Sequence, residues 1–319
     1  MKKTLVLAAL ALAGSLAQAQ SFPNKPILWV VPYTGGGITD NVTRMVTQKM
    51  QASLGQTIVV ENKPGANSII GADLVAKAPP DGYSIVTVIA AHAANATLYQ
   101  GKLPFDAVKS FVPFSLPAIA PLIMTVNNNF PAKDAKELIA YAKANPNKLN
   151  YASSGNGSLQ HVSTELLNQM AGIQITHVPY KGTGPAMTDL LGGNVDMTIT
   201  TPPPLMGHIA AGKLRPLVVT SKSRLESLKD VPSAPEAGYP DLDVSSWFAM
   251  YAPAGTPKPV IDKLTTEIEK IMKTDAFRKK AEELGAEAKY MNPQQLDQYQ
   301  KAELQRWGKV IKSANIHAE

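Results

Sequence analysis

From residue 27 onward, short apolar runs alternate with amphipathic stretches, separated by polar or glycine-containing turns. Ile27–Val31 is an unbroken apolar run of strand length, and 39–54 carries Val42, Met45, Val46 and Met50 on one helical stripe. The same rhythm predicts strands over 57–60 and 84–89, flanking a helix over 68–77 that Pro79 and Pro80 stop. It resumes with helices over 133–144, 159–171 and 185–191 and a further helix after Pro204. Strands are expected between them over 149–152, 174–178, 195–200 and 214–220. Strands alternating with helices predict an α/β fold with mostly parallel sheets flanked by helices on both faces. In such sheets ligands sit at the carboxyl ends of strands, near helix N-termini.

The last third changes character. Thr256 and Pro257 form a helix-opening pair ahead of Val260, Ile261, Leu264, Ile268 and Met272 at helical spacing. Asn292 and Pro293 open another helix, carrying Leu304, Trp307 and Ile311. Both stripes read as core packing. Two α/β lobes in succession, with a helical tail returning to the first, imply a chain that crosses twice between lobes.

Residues 1–19 predict a signal peptide: Lys2 and Lys3, an apolar run from Leu5 to Leu16, and the small-residue site Ala17-Gln18-Ala19 with cleavage after Ala19. That run is shorter than the roughly 20 apolar residues that span a bilayer. The 319 residues, 45% apolar, are enough for about two domains. The sequence contains no cysteine, which excludes disulfides, thiolate metal sites, thiol catalysis and a lipid-modified N-terminal cysteine. A net charge of +6 without basic clusters fits an anionic ligand and argues against nucleic acid.

Candidate chemistry lies in the loops between strands and helices. The first is PYTGGGITD at 32–40, where free backbone N–H groups meet the positive end of a helix dipole; Tyr33, Thr34, Gly35, Gly36, Gly37 and Asp40 are its candidate contacts. The second, YASSGNGSLQH at 151–161, offers Ser153, Ser154, Gly157, Ser158 and His161 beside another helix start, with Ser158 also a natural cap. The third, VPYKGTGP at 178–185, contributes Tyr180, Lys181 and Gly182. Thr200 and His92, in the 90–95 stretch, are weaker candidates. Catalytic patterns fail. The five histidines show no zinc spacing and no G-x-S-x-G elbow occurs. The phosphate-loop look-alike at 207–214 ends in Leu214 where Ser or Thr would hold magnesium. No catalytic residue, metal or cofactor is expected.

Six segments, in order, carry a family resemblance: PYTGGGITDNVTR (32–44), VVENKPGANSIIGADLVAKAPPDGY (59–83), NPNKLNYASSGNGSLQH (145–161), HVPYKGTGPAMTDLLGGNVD (177–196), GKLRPLVVTSKSR (212–224) and SWFAMYAPAGTP (246–257). The chain resembles the extracytoplasmic solute receptors of tripartite tricarboxylate transporters, also called the Bug family. The resemblance implies a two-lobed, type II-like periplasmic binding fold that closes by hinge motion on a carboxylated solute in the interlobe cleft. Lobe 1 would comprise 20–121 plus 252–319 and lobe 2 would comprise 122–251, with crossovers near 120–127 and 246–254. It further implies a periplasmic, non-enzymatic receptor delivering its solute to membrane permease subunits, with a monomer as the default expectation. A C4–C6 diacid, terephthalate or a citrate-like tricarboxylate would each serve. Family members often have Phe where Tyr33 stands, Ala where Gly35 stands, and Gly where Asn67-Ser68 stands, so ligand shape is expected to differ here. A sensor reporting to a signalling partner and a secreted α/β hydrolase are the alternatives; the hydrolase lacks a nucleophile–base pair.

Overall fold

The computed structural model describes residues 22–318. The expected export signal and its cleavage point lie outside the described residues. The first part of the chain runs β1 (Ile27–Val31), α1 (Ile38–Leu54), β2 (Ile58–Asn62), α2 (Ile69–Ala76), β3 (Ser84–Val88), α3 (Ala91–Leu98) and β4 (Phe111–Pro121). There follow β5 (Ile123–Asn127), α4 (Ala135–Ala144), β6 (Asn150–Ser153), α5 (Leu159–Ala171), β7 (Thr176–Pro179), α6 (Thr183–Gly192), β8 (Met197–Thr200), α7 (Pro203–Ala210) and β9 (Leu214–Val219). The chain closes with β10 (Ser245–Pro253), α8 (Lys258–Met272), α9 (Asp275–Glu283), β11 (Glu287–Met291) and α10 (Pro293–Ser313).

These strands form two sheets, ordered β11-β4-β10-β3-β1-β2 and β7-β6-β8-β5-β9. The β1–β2, β1–β3, β6–β7 and β6–β8 pairs are parallel, an arrangement that requires crossover connections such as the helices here. The expectation of mostly parallel sheets is nevertheless corrected to mixed ones. β10 pairs antiparallel with β3 and β4, β11 with β4, and β5 with β8 and β9. β4 and β10 carry the chain out of the first sheet and back into it, so both run against its parallel trio or against each other. β10 is bonded to β4 along its length, from Ser245–Pro121 to Pro253–Phe111. Residues 245–251 therefore sit in the first sheet, although the expected division of the chain grouped them with the second.

Alternation along the strands sorts the first sheet's side chains onto two faces. Trp29, Phe114 and Phe248 pack with Val42, Val46, Leu264 and Ile268 beneath α1 and α8. Val30, Val86 and Tyr251 face the other way, into a cluster that includes Ala72 and Val75 of α2 and Leu296, Trp307 and Val310 of α10. Glu303, 6% exposed, accepts the indole N–H of both Trp247 and Trp307 at 3.0 and 2.9 Å, which satisfies a buried carboxylate. The two passages between sheets meet at Thr220. Its Oγ1 accepts from Leu122 N at 2.9 Å and donates to the Val244 carbonyl at 2.6 Å.

Candidate functional site

A cleft of about 710 Å³ lies between the sheets. Its rim is where helices begin. Ile38 opens α1, Ser68 precedes α2, Ala91 opens α3, Ser158 and Leu159 open α5, Gly182 and Thr183 open α6, and Thr201 stands just before α7; all line the cleft. Six positive dipole ends thus point at one space; α7 contributes its dipole only, since Pro203 and Pro204 have no N–H and Leu205 N is bonded to the Pro202 carbonyl at 2.9 Å. Leu122 and Ser246, beside the two passages between sheets, also line it. The lining includes no Asp or Glu and one cation, Lys181, which makes no ion pair among the described residues.

The second-sheet wall is organised by one glutamine. Ser158 caps α5, accepting from His161 N, and this sets Gln160 in the first turn. Gln160 Oε1 accepts from Ser154 Oγ at 2.5 Å. Its Nε2 donates to Thr200 Oγ1 at 3.1 Å and Thr183 Oγ1 at 3.4 Å. One amide therefore fixes hydroxyls from three strand-to-helix junctions. Behind it, His161 and His177 stack with ring centroids 3.8 Å apart. His161 Nδ1 accepts the Gly157 N–H at 3.1 Å. Ser153 Oγ lies 2.6 Å from His177 Nε2 and 3.1 Å from the Gly155 carbonyl. Burial pushes His161 down to about 3, with His177 adding to the effect, and pushes His177 down to about 4. Both rings are neutral at pH 7.

The first-sheet wall is built differently. Gly71 lets α2 sit against β1, since a Cβ there would lie 2.7 Å from Pro32 Cβ and 2.9 Å from the Lys63 carbonyl. Immediately before that helix, Ala66, Asn67 and Ser68 have φ of 45°, 49° and 78°, three successive L residues in the left-handed region. Such positions cost on the order of 1–3 kcal/mol each. The turn is held by paired amides: Asn67 Nδ2 donates to Asn95 Oδ1 at 2.8 Å and Asn95 Nδ2 to the Asn67 carbonyl at 2.7 Å.

Of the residues expected at the ligand, Tyr33, Thr34, Ser154, Ser158, Lys181, Gly182 and Thr200 line this cleft. The others do not. Gly35, Gly36 and Gly37 form an exposed turn between the lining residues Thr34 and Ile38, with the Gly36 N–H given to Asp40 Oδ2 at 2.9 Å. Asp40 is a brace: burial alone would raise its carboxyl, but Arg44, the Gly36 N–H and Asn62 outweigh that and hold it low. His92 is a core residue. Its Nε2 meets the Ala107 carbonyl at 2.9 Å, its ring stacks on Phe105, and burial pushes it down to about 4 against the opposing effect of that bond. Ser153, Gly157 and His161 form the layer behind the wall, where a Gly157 Cβ would lie 2.3 Å from Leu98 Cδ1. Tyr180 turns its hydroxyl to Asp189 at 2.6 Å. The lining also includes Gln160 and Thr183, which lie in the candidate loops but were not singled out in sequence, and Asn67 and Ser68, expected only to change ligand shape. Gln160 carried a readable signal, an amide two residues past a serine cap.

The family model for the tripartite tricarboxylate transporter family receptor matches residues 42–316. The chain belongs to that family. It is 35% identical to the protein BugT of Bordetella pertussis over 95% of this chain and 94% of BugT. Among solved structures it is similar to an R. palustris protein with adipate, at 36% identity and a TM-score of 0.84, covering 93% of this chain and 99% of that one. It is also similar to MatC from Rhodopseudomonas palustris with bound malate, at 34% identity and a TM-score of 0.80, covering 91% and 100%. The shared fold is the two-lobed periplasmic binding architecture. The chain is a solute-binding receptor and not an enzyme.

Proposed function

We propose that this receptor, exported by cleavage after Ala19, captures a carboxylated organic anion in the periplasm and delivers it to the permease subunits of a tripartite tricarboxylate-type transporter. It works as a monomer, with one lobe around each sheet, and closes by rotation about the two passages between them. The observation that carries this reading is the cleft lining: hydroxyls, two amides, six helix N-termini and one lysine, with no acidic side chain. Such a lining complements an oxyanion. Hydrogen bonds to a charged group are worth roughly 1.5–3 kcal/mol each, so several neutral donors replace a buried salt bridge and avoid its desolvation cost. Closure requires a solute that touches both walls, because only differential affinity for the closed state drives it. The volume and the two-sided polarity support a dicarboxylate, and relatives solved with adipate and malate support the same class.

Thermal-shift screening of C4–C8 diacids, citrate, terephthalate and neutral sugars tests the reading. At least one acid is expected to raise the melting temperature by several degrees while sugars leave it unchanged. A panel in which no acid shifts it, or a sugar does, would overturn the assignment.

A further inference from the structure

Two polar atoms on the first-sheet wall are left unsatisfied by the rest of the chain. Ser68 is 2% exposed, and its Oγ, like Tyr33 Oη, is buried without a hydrogen-bond partner among the described residues. Both residues line the cleft. Burial raises the Tyr33 phenol well above its usual range, and weak hydrogen bonding toward the Ser68 side chain and the Ile89 backbone opposes the rise; the two hydroxyls are therefore neighbours, close to one another but outside the geometry of a formed hydrogen bond. Unpaired buried hydroxyls are disfavoured in a fold and draw attention to what would pair them.

The backbone that presents Ser68 is equally disfavoured. It is the third residue of the left-handed turn, a conformation glycine adopts without strain. Side chains stand where glycine would be easier, and one of them is a hydroxyl with no partner. The Asn67–Asn95 amide pair holds the turn in place, with Asn95 1% exposed.

We infer that Ser68 and Tyr33 form a specificity-determining hydroxyl pair that binds the second carboxylate of a dicarboxylate solute, while Lys181 and the Thr183 and Thr200 hydroxyls, which accept from Gln160 and keep their own protons, receive the first. The inference rests on the carboxylate reading of the cleft. Two O–H donors beside the N-terminus of α2 match a group that brings only acceptors. An apolar chain end leaves both hydroxyls unpaired, and an ammonium faces the positive end of the helix.

The test is titration calorimetry of the wild type, Ser68→Ala, Tyr33→Phe and the double variant with C4–C8 diacids and the monoacids of equal chain length, alongside melting of each ligand-free protein. Each single variant is expected to weaken its best diacid about 10-fold, a loss typical of one bond to a charged group, and the monoacid less than about 2-fold. Ligand-free melting temperatures should stay level or rise. A diacid-to-monoacid ratio unchanged in the double variant would overturn the pair while leaving the carboxylate reading intact. Lower ligand-free stability with both acids weakened alike would assign the hydroxyls to structure instead. If the wild type binds no acid, both readings fall.

Discussion

The two walls of the cleft hold similar chemistry in opposite states. On the second sheet, Ser154, Thr183 and Thr200 are already bonded to Gln160, and a buried histidine stack supports them from behind. On the first sheet, Tyr33 and Ser68 have no partner among the described residues, and the backbone that carries Ser68 is strained. One wall is complete before a solute arrives; the other is completed by it. A receptor that must capture and then release gains from this division: the rigid wall supplies orientation at little ordering cost, and the unsatisfied wall supplies the differential affinity that favours the closed state.

That contrast can be attacked at its centre. Gln160→Leu removes the acceptor and donors that fix three hydroxyls, and calorimetry should show affinity for the best acid falling about 100-fold, as expected when several bonds of about 1 kcal/mol are lost together. Unchanged affinity would mean that the second wall does not hold the solute. Gly71→Ala should lower stability by about 1–3 kcal/mol in chemical denaturation, because the backbone of Lys63 and Pro32 would have to move. Retained stability would show that α2 is not wedged as tightly as the strained turn requires.

The histidine stack gives a pH test of the completed wall. Unfolded histidines titrate near 6.5, whereas His161 titrates at about 3 and His177 at about 4 in the fold. The unfolded chain therefore binds more protons between these values, so the contribution of both rings to stability is fully present above 6.5 and is lost as pH falls toward 3–4. The melting temperature should drop across that window, and replacing both rings by glutamine should flatten much of the drop, with His92 supplying part of the remainder. A slope equally steep in the double variant would place the acid sensitivity elsewhere. The smallest effect is expected of Tyr180→Phe, whose hydroxyl serves Asp189 rather than the cleft. Affinity should change less than about 2-fold, and a larger loss would redraw the edge of the second wall.

Much of this was readable from residue order. Apolar runs separated by amphipathic stretches located β1 to β3, β6 to β9 and the helices between them, because each element buries one face or one stripe. β4 was not readable. Pro113, Pro117 and Pro121 interrupt it, a pattern that argues against an interior strand, yet it lies between β11 and β10 with register shifts along both pairings. β10 read as a connection because a fully buried apolar run carries no periodicity. At the site, loops between strands and helices were legible, but which of their side chains face inward was not. Asp40 and His161 look like ligand contacts in sequence and are used as braces, since polar groups that shape a loop have the same composition as those that bind. Asn67-Ser68 was marked in sequence as a departure expected to change ligand shape, but the conformation of the turn was not legible, because three left-handed L residues violate the local preferences on which such readings depend.

The six helix starts around the cleft have one more consequence. A field assembled from peptide groups has no proton to lose, so the attraction it exerts on an anion does not fade when the surroundings turn alkaline or mildly acid. Among the side chains lining the space, only Lys181 and Tyr33 carry titratable groups. Across the ordinary range of an outer compartment, the state of the medium should therefore govern how firmly the protein stands far more than how willingly it takes its cargo.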